Sequence, residues 1–97
     1  MSSKTNIRIS EQVLSFVRVQ APQPKRQIRD GLKEFSATGV GDIKALEGGL
    51  SGYYRLRIGR FRVIFAYTED GADCVFIERR NLVYEIFEQV LKGKLTI

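Results

Sequence analysis

The segment from Tyr53 to Phe65 constrains the fold of this 97-residue chain more than any other part of it. It holds four arginines, four aromatic residues and no acidic residue, and polar and apolar residues alternate on both sides of Gly59. Such alternation predicts half-buried strands, because successive side chains of a strand point to opposite faces. The glycine between the two runs predicts a tight antiparallel hairpin with one basic face and one apolar face.

The predicted hairpin brings its arginines together on one side of the sheet. In the first strand Tyr53, Arg55 and Arg57 share a face, and in the second strand Arg60 and Arg62 share a face. A short turn sets these two rows next to each other. We therefore expect a cationic patch in which Arg55, Arg57 and Arg62 are exposed to solvent.

This patch has two interpretations. Like charges on neighbouring strands repel each other, and a bound phosphate backbone would relieve that repulsion. A guanidinium also binds phosphate oxygens through two parallel hydrogen bonds. The alternative is an ordinary solvated sheet face, whose charge is balanced by Glu78 and Asp73 of the following strand.

A second basic motif follows near the C-terminus. Arg79 and Arg80 end the third predicted strand, and Tyr84 lies four residues after Arg80, in the first turn of a predicted helix. This spacing would let an arginine and a phenol meet at the rim of the patch. The alternative is that Tyr84 packs against the core and both arginines are solvated at a strand end.

The N-terminal half predicts a short strand and a helical hairpin. The expected bounds are Thr5 to Ser10 for the strand, Glu11 to Gln20 for the first helix and Pro24 for the start of the second. Six of the nine glycines lie in residues 39–59, which predicts loops and turns there, with a short helical turn at residues 43–46.

The C-terminal half predicts three strands and a helix. Short turns join the β-like runs 53–58, 61–68 and 74–79, which indicates an antiparallel meander. The amphipathic spacing from Val83 to Leu91 predicts a last helix that ends at Gly93. The predicted fold is α+β in class: one domain over residues 1–97, with a small twisted three-stranded sheet, an N-terminal strand, a helical hairpin and a C-terminal helix.

Composition narrows the classes of function. The chain has no histidine and a single cysteine, Cys74, which excludes histidine-based catalytic triads and the usual zinc sites and disulfides. We expect no metal and no small-molecule cofactor. The sequence shows neither a membrane span nor a signal peptide, so we expect a cytoplasmic protein. The net charge of +5 favours a polyanionic partner.

Three motifs together resemble the RelE/ParE toxin superfamily. They are Leu46-Glu47-Gly48, the hairpin sequence YRLRIGRFRVIF at residues 54–65, and IERRNLVY at residues 77–84. The resemblance extends over nearly the whole chain and implies a RelE-like fold. It also implies a type II toxin that a cognate antitoxin protein neutralises, in the RelE-like branch rather than in the ParE-like branch.

The RelE-like branch implies a ribosome-dependent mRNA endoribonuclease that inhibits translation. Its partners would be the ribosome and the mRNA in the ribosomal A site, and cleavage would proceed by attack of a 2′-hydroxyl on the adjacent phosphate, without a metal. The residues that match the catalytic positions are Arg55, Arg57, Arg62, Arg80 and Tyr84. Further contacts to RNA are predicted for Arg60, Arg79 and Tyr53.

The resemblance leaves the general base open. Relatives often carry lysine or histidine at such positions, whereas this chain has Arg55 and no histidine, and arginine is a poor base. Either Tyr84 loses its proton, or positioning of the RNA and charge stabilisation suffice. Two other functions stay open: a ParE-like inhibitor of DNA gyrase, and an inactive relative that keeps only its antitoxin-binding surface.

Overall fold

The computed structural model describes residues 5–79 and 82–93. Within these residues the chain forms five strands, three α-helices and one short 3₁₀ helix. In chain order they are β1 (Asn6–Ile9), α1 (Glu11–Arg18), α2 (Pro22–Thr38), β2 (Asp42–Ala45), a one-turn 3₁₀ helix (Gly48–Leu50), β3 (Tyr54–Ile58), β4 (Phe61–Tyr67), β5 (Gly71–Arg79) and α3 (Leu82–Leu91). The sheet has the order β1-β5-β4-β3-β2. Its pairs are antiparallel except for the parallel pair of β1 and β5.

Helices α1 and α2 cover one face of the sheet, which we call the closed face. The side chains buried beneath them form the first core: Val13, Ile28, Leu32, Phe35, Leu56, Ile58, Phe61, Val63, Phe65, Ala72, Cys74 and Ile77. Helix α2 comes close to β3 at Gly31, where an added Cβ would lie 2.7 Å from the Ile58 side chain. Glycine at this position therefore sets the distance between helix and sheet.

The shorter helix α3 packs on the other face, which we call the open face. The second core beneath it consists of Leu50, Ile64, Phe76, Val83 and Phe87. The Phe87 ring anchors the helix, with its centroid 5.6 Å from that of Phe76 and 5.0 Å from that of Tyr53. A helix of ten residues spans about 15 Å, so it leaves part of this face uncovered.

The N-terminal strand is attached to β5 by side chains as well as by backbone. Ser10 caps α1 by accepting from the Val13 backbone N–H, and its hydroxyl donates to the Val75 carbonyl at 2.9 Å. The Gln12 amide donates to the carbonyl of Ile77 at 2.9 Å and accepts from its N–H at 2.8 Å. The Gln12 side chain thus adds two hydrogen bonds to those that pair β1 with β5.

The predicted α+β class is confirmed, and several details differ. Residues 43–46 do not form a helical turn, because residues 42–45 pair with β3 as a strand, and the helical turn lies at residues 48–50. With β1 paired to β5 and β2 paired to β3, the sheet has five strands, where the sequence predicted a three-stranded meander and a separate N-terminal strand. Helix α2 begins at Pro22 rather than Pro24, since both prolines are tolerated in a first helical turn. Helix α1 ends at Arg18 rather than Gln20, and β5 begins at Gly71 rather than Cys74.

Candidate functional site

The structure brings Arg55, Arg57 and Arg62 together on the open face, beside α3. Gly59, with a φ of 59°, makes the turn that pairs β3 with β4, so that Arg57 lies directly opposite Arg62. Arg55 lies opposite Ile64, a residue of the second core beneath α3. We call these three residues the arginine cluster. Its position is the one that strand alternation predicted.

Asp42 supplies a negative charge at the edge of the arginine cluster. Its Oδ1 lies 3.0 Å from Nη2 of Arg55, and its Oδ2 lies 4.0 Å from Nη1 of Arg57. The Arg55 side chain is only 15% exposed, so the expectation that it is exposed to solvent is wrong. Among the residues that the structure describes, its buried Nε has no hydrogen-bond partner. Sequence analysis missed Asp42 because it lies on β2, which had no strand signal of its own.

The carboxylates expected to balance the patch have other partners. Glu78 lies opposite Arg62 in the register, but its Oε1 accepts from the backbone N–H of Arg79 at 3.0 Å. Asp73 is 3.5 Å from Arg8. Within residues 5–79 and 82–93, Arg62 has no carboxylate within 4.0 Å. The alternative interpretation, in which Glu78 and Asp73 balance the patch, thus finds no ion pair to support it among the described residues.

Backbone carbonyls hold two of the guanidinium groups in place. Arg62 Nη1 donates to the carbonyls of Gly59 at 3.1 Å and Phe61 at 3.2 Å, and Arg57 Nε donates to the same Gly59 carbonyl at 3.4 Å. Burial, and then the charges of Arg57 and Arg55, lower the pKa of Arg62 from its usual value. The cluster is thus an electropositive site where an added anion would lower the electrostatic energy.

The two predicted aromatic site residues lie on the open face in different settings. Tyr84, half-buried on α3, is close enough to Arg62 for its phenol to act on that guanidinium, in the direction that raises the arginine pKa. Tyr53 packs edge-on against Phe87 and belongs to the border of the second core. The structure therefore gives Tyr84 a place beside the arginine cluster and gives Tyr53 a packing role.

The arginines Arg60 and Arg79 line a different cleft, of about 520 Å³, against the N-terminal part of α2. The Arg79 guanidinium lies 5.7 Å from the centre of the Phe61 ring, which belongs to the first core. Arg60 occupies the turn, where strand alternation does not apply. These two residues are thus not brought to the arginine cluster, and the predicted residue Arg80 lies outside the described residues.

Comparisons with known proteins show similarity in structure. No family model and no curated protein sequence matches the chain. Among solved structures, the toxin–antitoxin complex RelBE2 from Mycobacterium tuberculosis matches with a TM-score of 0.69 at 14% identity, over 79% of this chain and 99% of that one. The archaeal RelE–RelB complex from Pyrococcus horikoshii matches with a TM-score of 0.66 at 21% identity, over 80% and 97%. The YoeB/ParE toxin from Agrobacterium tumefaciens matches with a TM-score of 0.63 at 14% identity, over 78% and 99%.

These matches define the fold. The chain has a RelE-like fold, the fold of the RelE and YoeB/ParE toxin structures that it matches. The resemblance inferred from the motifs is confirmed at this level. In residues 5–79 and 82–93, no helix has the length and apolar character that a bilayer crossing needs.

Proposed function

We propose that this protein is a type II toxin that cleaves mRNA on the ribosome, in the cytoplasm, and thereby inhibits translation. The observation that carries the proposal is the arginine cluster. It sets three guanidinium groups next to a tyrosine on the open face, with the carboxylate of Asp42 at its edge. It combines with a RelE-like fold. The single domain 1–97 is proposed to hold the whole active site.

The arginine cluster suits the charge that develops when RNA is cleaved by its own 2′-hydroxyl. Attack of the 2′-oxygen on phosphorus gives a pentacovalent phosphate with added negative charge on its oxygens. Loss of the 5′-oxygen then leaves a 2′,3′-cyclic phosphate on one fragment and a 5′-hydroxyl on the other. Arg57 and Arg62, fixed by the Gly59 carbonyl, would bind these oxygens as preorganised donors.

The proton transfers are assigned to the remaining predicted residues. Arg80, at a position that the family resemblance implies, is proposed to be the electrophilic or acid group that assists the departure of the 5′-oxygen. Tyr84 is proposed to orient the nucleotide by stacking on it. After its phenol has lost a proton to solvent, the phenolate would accept the proton of the 2′-hydroxyl. The proposed requirement for a ribosome fits a site in which correct positioning of the RNA provides much of the rate acceleration.

The proposed partner in the resting cell is a cognate antitoxin. Toxin–antitoxin complexes are among the structures that this fold matches. An acidic or amphipathic antitoxin segment would neutralise the arginine cluster or replace contacts of α3. Co-expression with the protein of the neighbouring reading frame, followed by purification through a tag on the toxin, should yield a stable complex.

Mapping of RNA 5′ ends after brief induction in a bacterium tests the nuclease. The wild type should give new 5′-hydroxyl ends inside translated frames, and R62A should reduce them by about 10²-fold or more, because a preorganised charge donor is lost. R29A is the matched control, since Arg29 is an exposed arginine on α2. It should cut like the wild type.

Three outcomes would contradict this proposal. Equal cutting by R62A and wild type would show that the arginine cluster takes no part in RNA cleavage. Growth arrest without new RNA ends, together with inhibited supercoiling by purified gyrase, would favour the ParE-like function, in which the arginine cluster only binds. Normal growth under full induction would indicate an inactive relative.

A further inference from the structure

A small cleft borders the proposed active site on the side of the sheet edge. It has a volume of about 260 Å³ and is lined by Lys44, Ala45, Leu46, Glu47, Leu50 and Tyr84. Leu50 and Leu46 belong to the second core and its border, so the floor of the cleft is apolar. The Tyr84 side chain forms one wall.

The cleft is one strand away from the arginine cluster. Lys44 lies directly opposite Arg55 in the pairing of β2 with β3, which puts their Cβ atoms about 5 Å apart. Tyr84 lines the cleft and is also close enough to Arg62 to contribute to the pKa of that arginine. A nucleotide whose phosphate lies on the arginine cluster could therefore place its base in this cleft.

The rim of the cleft carries two exposed groups of opposite charge. In the part of the chain that the structure describes, neither Lys44 nor Glu47 has an ion-pair partner within 4.0 Å. Glu47 precedes the 3₁₀ helix, yet its side chain makes no capping hydrogen bond there. Both groups are thus free to bind a ligand at the mouth of the cleft.

The charges of Lys44 and Glu47 match the hydrogen-bonding edges of guanine. A carboxylate accepts hydrogen bonds from adjacent donors, and guanine presents two, N1–H and N2–H₂, on one edge. An ammonium group donates to O6 and N7 of guanine, which lie on the neighbouring edge. Uracil has acceptors on both sides of its only N–H, so a carboxylate would be repelled.

We propose that this cleft is a base-specificity subsite that binds guanine, stacked on Tyr84, with Glu47 and Lys44 contacting its edges. The inference rests on the proposed function, because it places the base next to the scissile phosphate. Glu47 and Lys44 are then the residues that select the sequence at which RNA is cut.

A binding experiment tests the subsite without any cleavage. Guanosine 3′-monophosphate and uridine 3′-monophosphate are titrated into the purified protein, and NMR shifts of the Leu46 and Leu50 methyl groups are followed. Guanosine 3′-monophosphate should bind more tightly, and E47Q should weaken it by about tenfold while leaving uridine 3′-monophosphate almost unchanged. E69Q, which alters an exposed carboxylate in the turn after β4, is the matched control. K44Q should also reduce the preference.

The outcomes separate this proposal from the proposed function. Equal binding of the two nucleotides, or a guanosine preference that E47Q leaves intact, would overturn the subsite even if the protein cuts RNA. A guanosine preference that depends on Glu47, in a protein that produces no RNA ends, would support the subsite and refute the nuclease. Where cutting occurs, the wild-type ends should be enriched in guanine beside the cut, and E47Q should lower that enrichment.

Discussion

The two faces of the sheet differ in how completely they are covered. On the closed face, α1 and α2 bury twelve of the described residues in the first core, whereas α3 buries five in the second core of the open face. The arginine cluster lies on the open face, beside the shorter helix. The closed face therefore provides most of the hydrophobic stabilisation. The open face can then keep like charges next to each other, although their repulsion lowers the stability of the fold.

The largest loss of stability is expected from F65A, which truncates a side chain in the core of the closed face. Phe65 is fully buried in the first core, and its ring centroid is 5.0 Å from that of Phe35 and 5.1 Å from that of Tyr67. Its truncation should lower the free energy of unfolding by about 3–5 kcal/mol, because it leaves a cavity among rigid neighbours. Urea denaturation measures the loss. V40A, at a site 67% exposed, is the control and should stay within about 0.5 kcal/mol of the wild type.

A smaller loss is expected from G31A, which tests how closely α2 packs on the closed face. Alanine favours a helix by about 1 kcal/mol, but the added Cβ would overlap Ile58, and overpacking costs about 1–3 kcal/mol. The net change should be a loss of about 1 kcal/mol, measured by the same denaturation. G49A, which meets open space, should be nearly neutral. An increase in stability for G31A would show that the helix can move away from the sheet.

The buried thiol of Cys74 makes the closed face sensitive to alkaline pH. Burial, and secondarily the charge of Asp73, raise the pKa of Cys74 from 9.0 to about 12. The unfolded chain therefore loses this proton at lower pH than the folded one, and the stability present below pH 9 falls as the pH rises from there towards 12. By pH 10 the loss should be about 1.4 kcal/mol. The difference in unfolding free energy between wild type and C74A, followed from pH 7 to pH 10, isolates this contribution from lysines and tyrosines. A constant difference would contradict it.

The smallest effect is expected from R57Q on the open face. Arg57 lies opposite Arg62 and only 4.0 Å from Asp42, so its removal relieves repulsion and sacrifices a weak, exposed ion pair. The free energy of unfolding should rise by up to about 0.5 kcal/mol, while RNA cutting falls. R18Q, which changes an exposed arginine of α1, should alter neither quantity. A clear loss of stability in R57Q would mean that the open face is held together by its charges.

Local patterns predicted the arginine cluster because it depends only on alternation along two strands and one turn. Arg55, Arg57 and Arg62 needed no knowledge of distant contacts. Strand β2 was not predicted, because four residues carry too little alternation, and they form a strand only by pairing with β3. Asp42 was missed for the same reason, although it supplies the carboxylate of the candidate site.

The predicted RNA contacts of Arg60 and Arg79 show where alternation stops being informative. Arg60 lies in the turn, and Arg79 ends β5 opposite Phe61, so both are directed to the cleft beside α2. Tyr53 precedes β3, and its ring packs against Phe87 of α3, 34 residues further along the chain. Side chains at strand ends and turns depend on tertiary packing, which a periodic pattern does not encode.

The pairing of β1 with β5 has a consequence for the order in which the protein forms during synthesis. Asn6 pairs with Gly71 and Gln12 with Ile77, so each of these contacts closes a loop of 65 residues. The first strand to leave the ribosome has no partner until most of the chain has been made, and such non-local contacts form late. A nascent chain that stops before β5 therefore lacks both the strand that docks β1 and the surface on which α3 packs. If the protein is the toxin proposed above, premature termination should release fragments that are harmless to the cell that makes them.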